Sequence, residues 1–307
     1  QLKIIEKSGH DVYIEKPACH NIFEGRKMVE ASRKYNVLVQ VGHNNRSSKN
    51  VREAIKFLHD GGIGEIYMAR GLCFKARDSY GYAKDSTPPA SFHYERWLGP
   101  AQWRPYNEKR SHYSWHWYWD TGNGDTGNQG PHQFDIARWG LNKLEHPVSV
   151  CSTGGIYGFR KDESTPENQV KGTMVYGDVE TYGNSKTSQE TPNIQTAAFR
   201  YEDGTLLEFE TRGRYTNQEG KIGVEVGNIF YGSEGYLEIN GDTWSAFRRR
   251  EREPFAGSKP VEGNDGGNHF ANFLESLRAG KREMLNCEIN EGFYSASLVH
   301  LANISYR

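Results

Sequence analysis

The first forty residues alternate between helix and strand patterns, and that alternation constrains the fold most. Gln1–Gly9 (QLKIIEKSG) sets apolar Leu2, Ile4 and Ile5 ahead of a glycine and reads as the tail of a helix. Asp11–Ile14 (DVYI) reads as a short strand, Asn21–Tyr35 as a helix and Val37–Val41 (VLVQV) as a second strand. The order α-β-α-β is the grammar of a parallel sheet with crossover helices. Two strands are too few for a complete doubly wound sheet, so the opening reads as the second half of one.

A different texture follows. The residues Val51, Ala54, Ile55 and Leu58 recur at helical spacing and predict a helix over Ser48–Asp60, ended by the glycines at 61–64. Glu65–Cys73 reads as a strand. Residues 74–118 are aromatic and weakly periodic, and connections that long are usually functional or lid-like. From Val148 the chain breaks into short strands: Val148–Thr153, Gln169–Tyr176, Thr196–Tyr201, Leu206–Arg212, Val224–Gly232 and Gly235–Asn240. Turns such as Glu202-Asp203-Gly204 separate them, so a mostly antiparallel sheet is expected. Pro254–Gly267 reads as a surface loop. Helices return at Asn268–Ala279, amphipathic through Phe270, Phe273, Leu274 and Leu277, and at Ile289–Ser305.

Charge and composition exclude some functions. A formal net charge of −1 with no basic run argues against nucleic-acid and membrane-surface partners. No apolar stretch reaches membrane-spanning length, so a soluble protein is expected, cytoplasmic or periplasmic. Cys19, Cys73, Cys151 and Cys287 lack any C-x-x-C spacing, which indicates neither a zinc knuckle nor a disulfide framework. The aromatic residues cluster between Tyr80 and Trp139. Such a cluster can be core, but aromatic faces beside a polar loop also suit the C–H faces of sugar rings.

Chemistry concentrates in Trp119–Leu141 (WDTGNGDTGNQGPHQFDIARWGL). Pro131 suits the first turn of a helix, and His132 and Asp135 then share one helical face, which Arg138 continues. Asn128 lies four residues before His132, in a glycine-rich loop. The bland alternative for His132 is a cap or a satisfied surface histidine. Gly122-Asn123-Gly124-Asp125-Thr126-Gly127 fits G-x-G-x-x-G, but the residues before it, Tyr113–Trp119, are not the buried apolar strand that a dinucleotide fingerprint needs. His112 and His116, with His132 and Asp135, offer a minority metal reading; it requires a helix that Tyr113–Trp119 does not suggest, and no metal is expected. Glu15-Lys16-Pro17 closes the first strand, at the carboxyl edge where open α/β sheets bind ligands. Burial there would lower the Lys16 pKa towards neutrality and fit it to move protons; the alternative is a solvated lysine before a turn proline.

Together these residues resemble the Gfo/Idh/MocA family of nicotinamide-dependent sugar and polyol oxidoreductases. The resemblance rests on E-K-P after one strand, N-N-R after the next, the helix ending in G-G-I-G-E-I, and Gly130, His132 and Asp135 in G-x-H-x-x-D. It implies an α/β chain: the C-terminal part of a Rossmann parallel sheet over residues 1–45, then, over 46–307, an α+β substrate and oligomerisation domain with a large, mostly antiparallel open sheet. It also implies Lys16 as acid/base at the reacting carbinol, with His132 as the second polar group there. Glu15, Lys16, Pro17 and Arg46 would face the cofactor, NAD or NADP. Many relatives carry an aspartate where this chain has Asn128; an amide cannot take a proton, so Asn128 is cast as an orienter. No glycine fingerprint for the pyrophosphate precedes Glu15. Trp115, His116, Trp117 and Asp135 would line the substrate side.

The expected function is therefore an oxidoreductase acting on a sugar, polyol or glycoside carbinol, with a small-molecule substrate and a homo-oligomeric assembly (dimer or tetramer) through the open sheet. Two alternatives stand beside it. One is a glycosidase or lyase that uses the nicotinamide transiently without net redox change. The other is a non-catalytic carbohydrate-binding or assembly protein that lacks the cofactor half.

Overall fold

The computed structural model describes residues 9–77, 83–160, 174–177, 189–214, 216–259 and 268–307. Strands β1 (Val12–Ile14) and β2 (Val39–Val41) pair in parallel, with Val12 opposite Val39 and Ile14 opposite Val41. Helix α1 (Ile22–Lys34) crosses between them. Its start is fixed by Asn21, whose side chain accepts the Glu24 N–H, and Arg33 and Lys34 sit in the last turn, where the helix dipole favours cations. Helix α2 (Lys49–His59) is capped in the same way by Ser48 and buries Val51, Ala54, Ile55 and Leu58, the stripe expected from spacing.

The remaining strands form one large sheet: β3 (Ile66–Cys73), β4 (Ser149–Arg160), β5 (Met174–Gly177), β6 (Ile194–Arg200), β7 (Leu206–Arg212), β8 (Val226–Gly232), β9 (Gly235–Asn240), β10 (Thr243–Arg248) and β11 (Ala256–Gly257). Their order is β11-β10-β9-β8-β3-β7-β6-β4-β5. Strand β3 lies parallel to β7, while the other pairings are antiparallel. Alternate residues point to opposite faces. One face buries Ala69, Phe199, Leu207, Phe209, Phe230 and Leu237 against helices. The other carries ion pairs, among them Arg70–Glu219 at 2.7 Å and Arg212–Glu210 at 2.6 Å.

Helix α5 (Gly130–Gly140) lies on the buried face, with Phe134 against Phe199 and Phe209. Before it come two short helices, α3 (Tyr94–Leu98) and α4 (Gly124–Asn128), and after β11 come α6 (His269–Ala279) and α7 (Ile289–Tyr306). Helix α7 is buried nearly all round, from Ile289 to Asn303. Its Leu298, Val299 and Ala302 join the core of the large sheet, whereas Ile289 and Ala296 join the core of β1, β2 and α1. The segment leading into it is stitched to β2 as well, the Val41 N–H donating to the Cys287 carbonyl at 2.9 Å. The last helix thus spans the boundary that the sequence suggests near residue 45.

Some expectations need correction. Residues 124–128 form a helical turn rather than loop, and Ser114–Trp117 winds into a 3-10 turn. Strand β10 escapes the spacing argument, although Asn240-Gly241, with Gly241 at φ +59°, is the turn signal that joins it to β9 in a tight hairpin. Strand β11 falls inside the expected surface loop over Pro254–Gly267. On α6 the stripe read as amphipathic is left largely open: Phe270 is 57% and Leu274 48% exposed, and Tyr13 stacks on Phe270. Residues 1–8, 169–173 and 260–267, parts of the expected first helix, strand and loop, lie outside the described residues.

Candidate functional site

The turn after β1 and the segment from Trp115 to Asn128 face each other across a cleft of about 600 Å³. Lys16 and Pro17 form one wall, joined by a cis peptide bond. Trp115, His116, Asn123 and Asn128 form the other. The Lys16 Nζ donates to the Asn128 carbonyl at 2.5 Å and reaches its Oδ1 at 3.4 Å. Burial lowers the pKa of this amine from its ordinary value, and Lys75 and Arg77 lower it further against the opposing pull of Glu15 and Asp125.

The loop between His116 and Asn128 takes its shape from two glycines. A Cβ on Gly122 would lie 2.3 Å from the His116 carbonyl oxygen, so only glycine lets the chain pass there. Gly124 has φ +69°, a conformation that L side chains rarely adopt. These demands account for glycines that mimic a dinucleotide fingerprint, and the residues before them form a 3-10 turn, not a strand. Arg77 clamps the next residue, Asp125, through Nε contacts of 3.1 Å to both carboxylate oxygens. The adjacent Thr126 hydroxyl donates to Gln195 at 2.7 Å. The turn that presents Asn128 is therefore anchored to β6 and to the chain beyond β3.

On the aromatic wall, Trp115 stacks on His116 with ring centroids 3.7 Å apart, and His116 Nδ1 lies 2.5 Å from the Tyr113 carbonyl. Burial keeps the His116 pKa below its usual value. His132 sits in the first turn of α5, its Nδ1 sealed from solvent and without a hydrogen-bond partner among the described residues. Burial, reinforced by His43 and Lys16, pulls its pKa down to about 3, so the ring is neutral. A neutral imidazole beside a weakly basic amine can accept or share a hydroxyl hydrogen bond without bringing a second positive charge.

Three residues expected at the site lie elsewhere. Arg46 is buried, donates to both Asp135 oxygens at 2.8 and 3.0 Å, and reaches Glu291 at 3.0 Å. Asp135, 1% exposed, also accepts from the Ser295 hydroxyl at 2.7 Å. Trp117 is likewise buried, with the Arg77 guanidinium 5.1 Å from its ring centroid. None of the three lines the cleft, and His132, behind Asn128 in sequence, is not among its lining residues either. Glu15 is exposed and lies over Gly42, where a Cβ would come within 2.9 Å of its carboxylate.

Among the described residues, the side chains close enough to share a metal are His43, Asp135 and Cys287, whose ligand atoms lie within 4.8 Å of one another. His112 and His116 do not join that group. Arg46 already supplies Asp135 with positive charge there, and burial holds the Cys287 thiol well above its usual pKa. Spacing missed Lys75, Arg77 and Asp125. A signal existed: Lys75 and Arg77 follow the end of β3 at alternating positions, so both can turn to one side.

Residues 75–154 match the Gfo/Idh/MocA family model described as "Oxidoreductase family, C-terminal alpha/beta domain". The resemblance to Gfo/Idh/MocA holds. The Gfo/Idh/MocA match spans the aromatic wall, Asn128 and His132, and stops at Gly154 inside β4. Solved structures of similar fold cover 99% of this chain. Aldose-aldose oxidoreductase from Caulobacter crescentus, complexed with glycerol, has a TM-score of 0.65 at 13% identity, with 72% of its own length covered. The WlbA dehydrogenase from Bordetella pertussis, in complex with NADH and UDP-GlcNAcA, has 0.59 at 16% identity, with 71% covered. A putative myo-inositol dehydrogenase from Sinorhizobium meliloti has 0.58 at 16% identity, with 74% covered. At these identities the likeness establishes the fold. No curated protein matches the chain.

Proposed function

We propose that the protein is a nicotinamide-dependent oxidoreductase that acts on a sugar, polyol or glycoside carbinol. One observation carries the reading: an amine of lowered basicity, Lys16, is held by Asn128 at the wall of a cleft whose opposite side is aromatic. The matched family and the solved neighbours are oxidoreductases, which supports the class of reaction.

The residues present suit one end of the cofactor. Lys16 and Pro17 stand in a cleft at the carboxyl edge of the parallel pair, where they would flank a nicotinamide ring; when bound, that ring supplies the hydride acceptor. The chain's own part is proton handling and orientation. Lys16 Nζ, in its free-base form, takes the proton of the substrate hydroxyl. Asn128 fixes the amine through its carbonyl, and neutral His132 holds the hydroxyl by a hydrogen bond. Trp115 offers its ring to the C–H face of the substrate. The reading extends to a homo-oligomer formed through the charged face of the large sheet, and a monomer mass by light scattering would refute that part.

The test is nicotinamide reduction by a panel of sugars and polyols with the full-length protein. Lys16→Ala should lower turnover by about 10²–10⁴-fold, the usual worth of a positioned general base, with the circular dichroism spectrum retained. Turnover unchanged in Lys16→Ala would sink the assignment. Because the free amine is the working form, kcat/KM should rise with pH through a midpoint below the ordinary lysine value of about 10.4.

A further inference from the structure

The cleft does not end at Trp115. A second compartment of about 610 Å³ continues it, and His20, Glu24, Pro100, Trp115 and Thr121 line both. Each compartment alone has the size of a whole small-molecule site, roughly 300–1,000 Å³. One sugar ring at Lys16 therefore leaves the second space unused.

The chemistry of the second compartment is specific. Its apolar surface comes from Trp97, Leu98, Pro100 and Trp115, and its polar surface includes Glu24, Gln102 and Asp120. Trp97 is set by stacking on Tyr94, with centroids 5.9 Å apart and planes 18° from parallel. Asp120 is fixed by Arg104 Nη1 at 3.2 Å, and Glu24 accepts the His20 N–H at 3.1 Å. Indole faces beside fixed carboxylates and an amide suit the C–H faces and hydroxyls of a neutral sugar ring. Among the described residues no lysine or arginine lines this compartment, and the nearby Arg104 is already committed to Asp120 and Glu190, so a diphosphate there would meet two carboxylates and no free cation.

We infer that the substrate is a neutral glycoside of at least two rings, its reacting ring at Lys16 and its second ring between Trp97 and Trp115, rather than a free monosaccharide or a nucleotide sugar. The inference rests on the function proposed above. Trp115, shared by both compartments, marks the glycosidic bond, and the second ring contributes binding without touching the reacting carbinol.

Calorimetric titration of the full-length protein with matched pairs tests this: glucose with cellobiose, galactose with β-1,4-galactobiose, mannose with β-1,4-mannobiose, and UDP-glucose as the charged probe. At least one disaccharide should bind about tenfold more tightly than its own monosaccharide, a gain of ~1.4 kcal/mol. Trp97→Ala should erase that gain and leave the monosaccharide unchanged. Ala101→Phe, which fills the second compartment without removing a packed ring, should do the same and guards against misfolding of the first variant. Equal affinity within every pair, survival of the gain in both variants, or tight binding of UDP-glucose alone would overturn the inference. So would binding of none of the probes. The Lys16 turnover assay decides the reaction separately, so either reading can fail while the other stands.

Discussion

Asp135 shows how far a side chain's role depends on residues distant in sequence. Its helical spacing from His132 is legible, and so is the proximity of Arg138. Its main partners, Arg46 and Ser295, come from other elements, and no local pattern pairs them with it. Burial would raise the pKa of this carboxyl, but Arg46 and His43 more than offset that and hold it far below the usual range. The charge is a component of the fold. Asp135→Asn would leave Arg46 buried beside a neutral amide, and the expected loss is about 3–5 kcal/mol of stability, read from the urea midpoint at constant m-value. An unchanged midpoint would show that Glu291 alone can hold the guanidinium. The position of Lys16 just past a strand, by contrast, is legible because its sequence context is local: a strand, then E-K-P. The pairing of Arg77 with Asp125 was hidden for the same reason as that of Asp135.

Helices that carry their own start signals were legible almost to the residue. Asn21, Ser48 and Asn268 each accept the N–H three positions on, and the helices begin where those caps predict. The short helix α4 was not legible, because its glycines answer to packing rather than to propensity. The same holds at Gly292 of α7. A Cβ there would lie 2.5 Å from a methyl group of Val41 and 2.9 Å from its Cβ, on a strand with no room to retreat. Alanine favours helix over glycine by roughly 0.8–1.0 kcal/mol. Even so, overpacking of this kind costs about 1–3 kcal/mol, and Gly292→Ala should lower the thermal midpoint. A raised midpoint would mean that α7 can shift away from β2 at little cost.

For the molecule as a whole, three histidines tie stability to pH in one direction. His43 and His300 are held at about 4 and His132 at about 3, in each case chiefly by burial. The unfolded chain takes up these protons near pH 6.5, whereas the folded chain refuses them until the lower values are reached. Stability is therefore complete above pH 6.5 and falls as the pH drops towards 4, each pK unit being worth ~1.4 kcal/mol per group. Asp135 adds a further loss below the ordinary carboxylate pKa. Urea midpoints measured from pH 8 to 4 should trace that fall; a flat profile would show that these rings accept protons in the folded state. The antiparallel character of the large sheet was visible in strand spacing, but its order was not, since β3 pairs with β7 and β8 across most of the chain.

Helix α7 also sets a timetable. The segment Val12–Lys34 is closed over by Ile289 and Ala296, which the ribosome adds only after the whole large sheet. Domains generally fold as they emerge, amino-terminal parts first. Here Ile14, Met28 and Val39 have to wait through synthesis of the whole large sheet, and their shared core closes only once Ile289 and Ala296 have emerged.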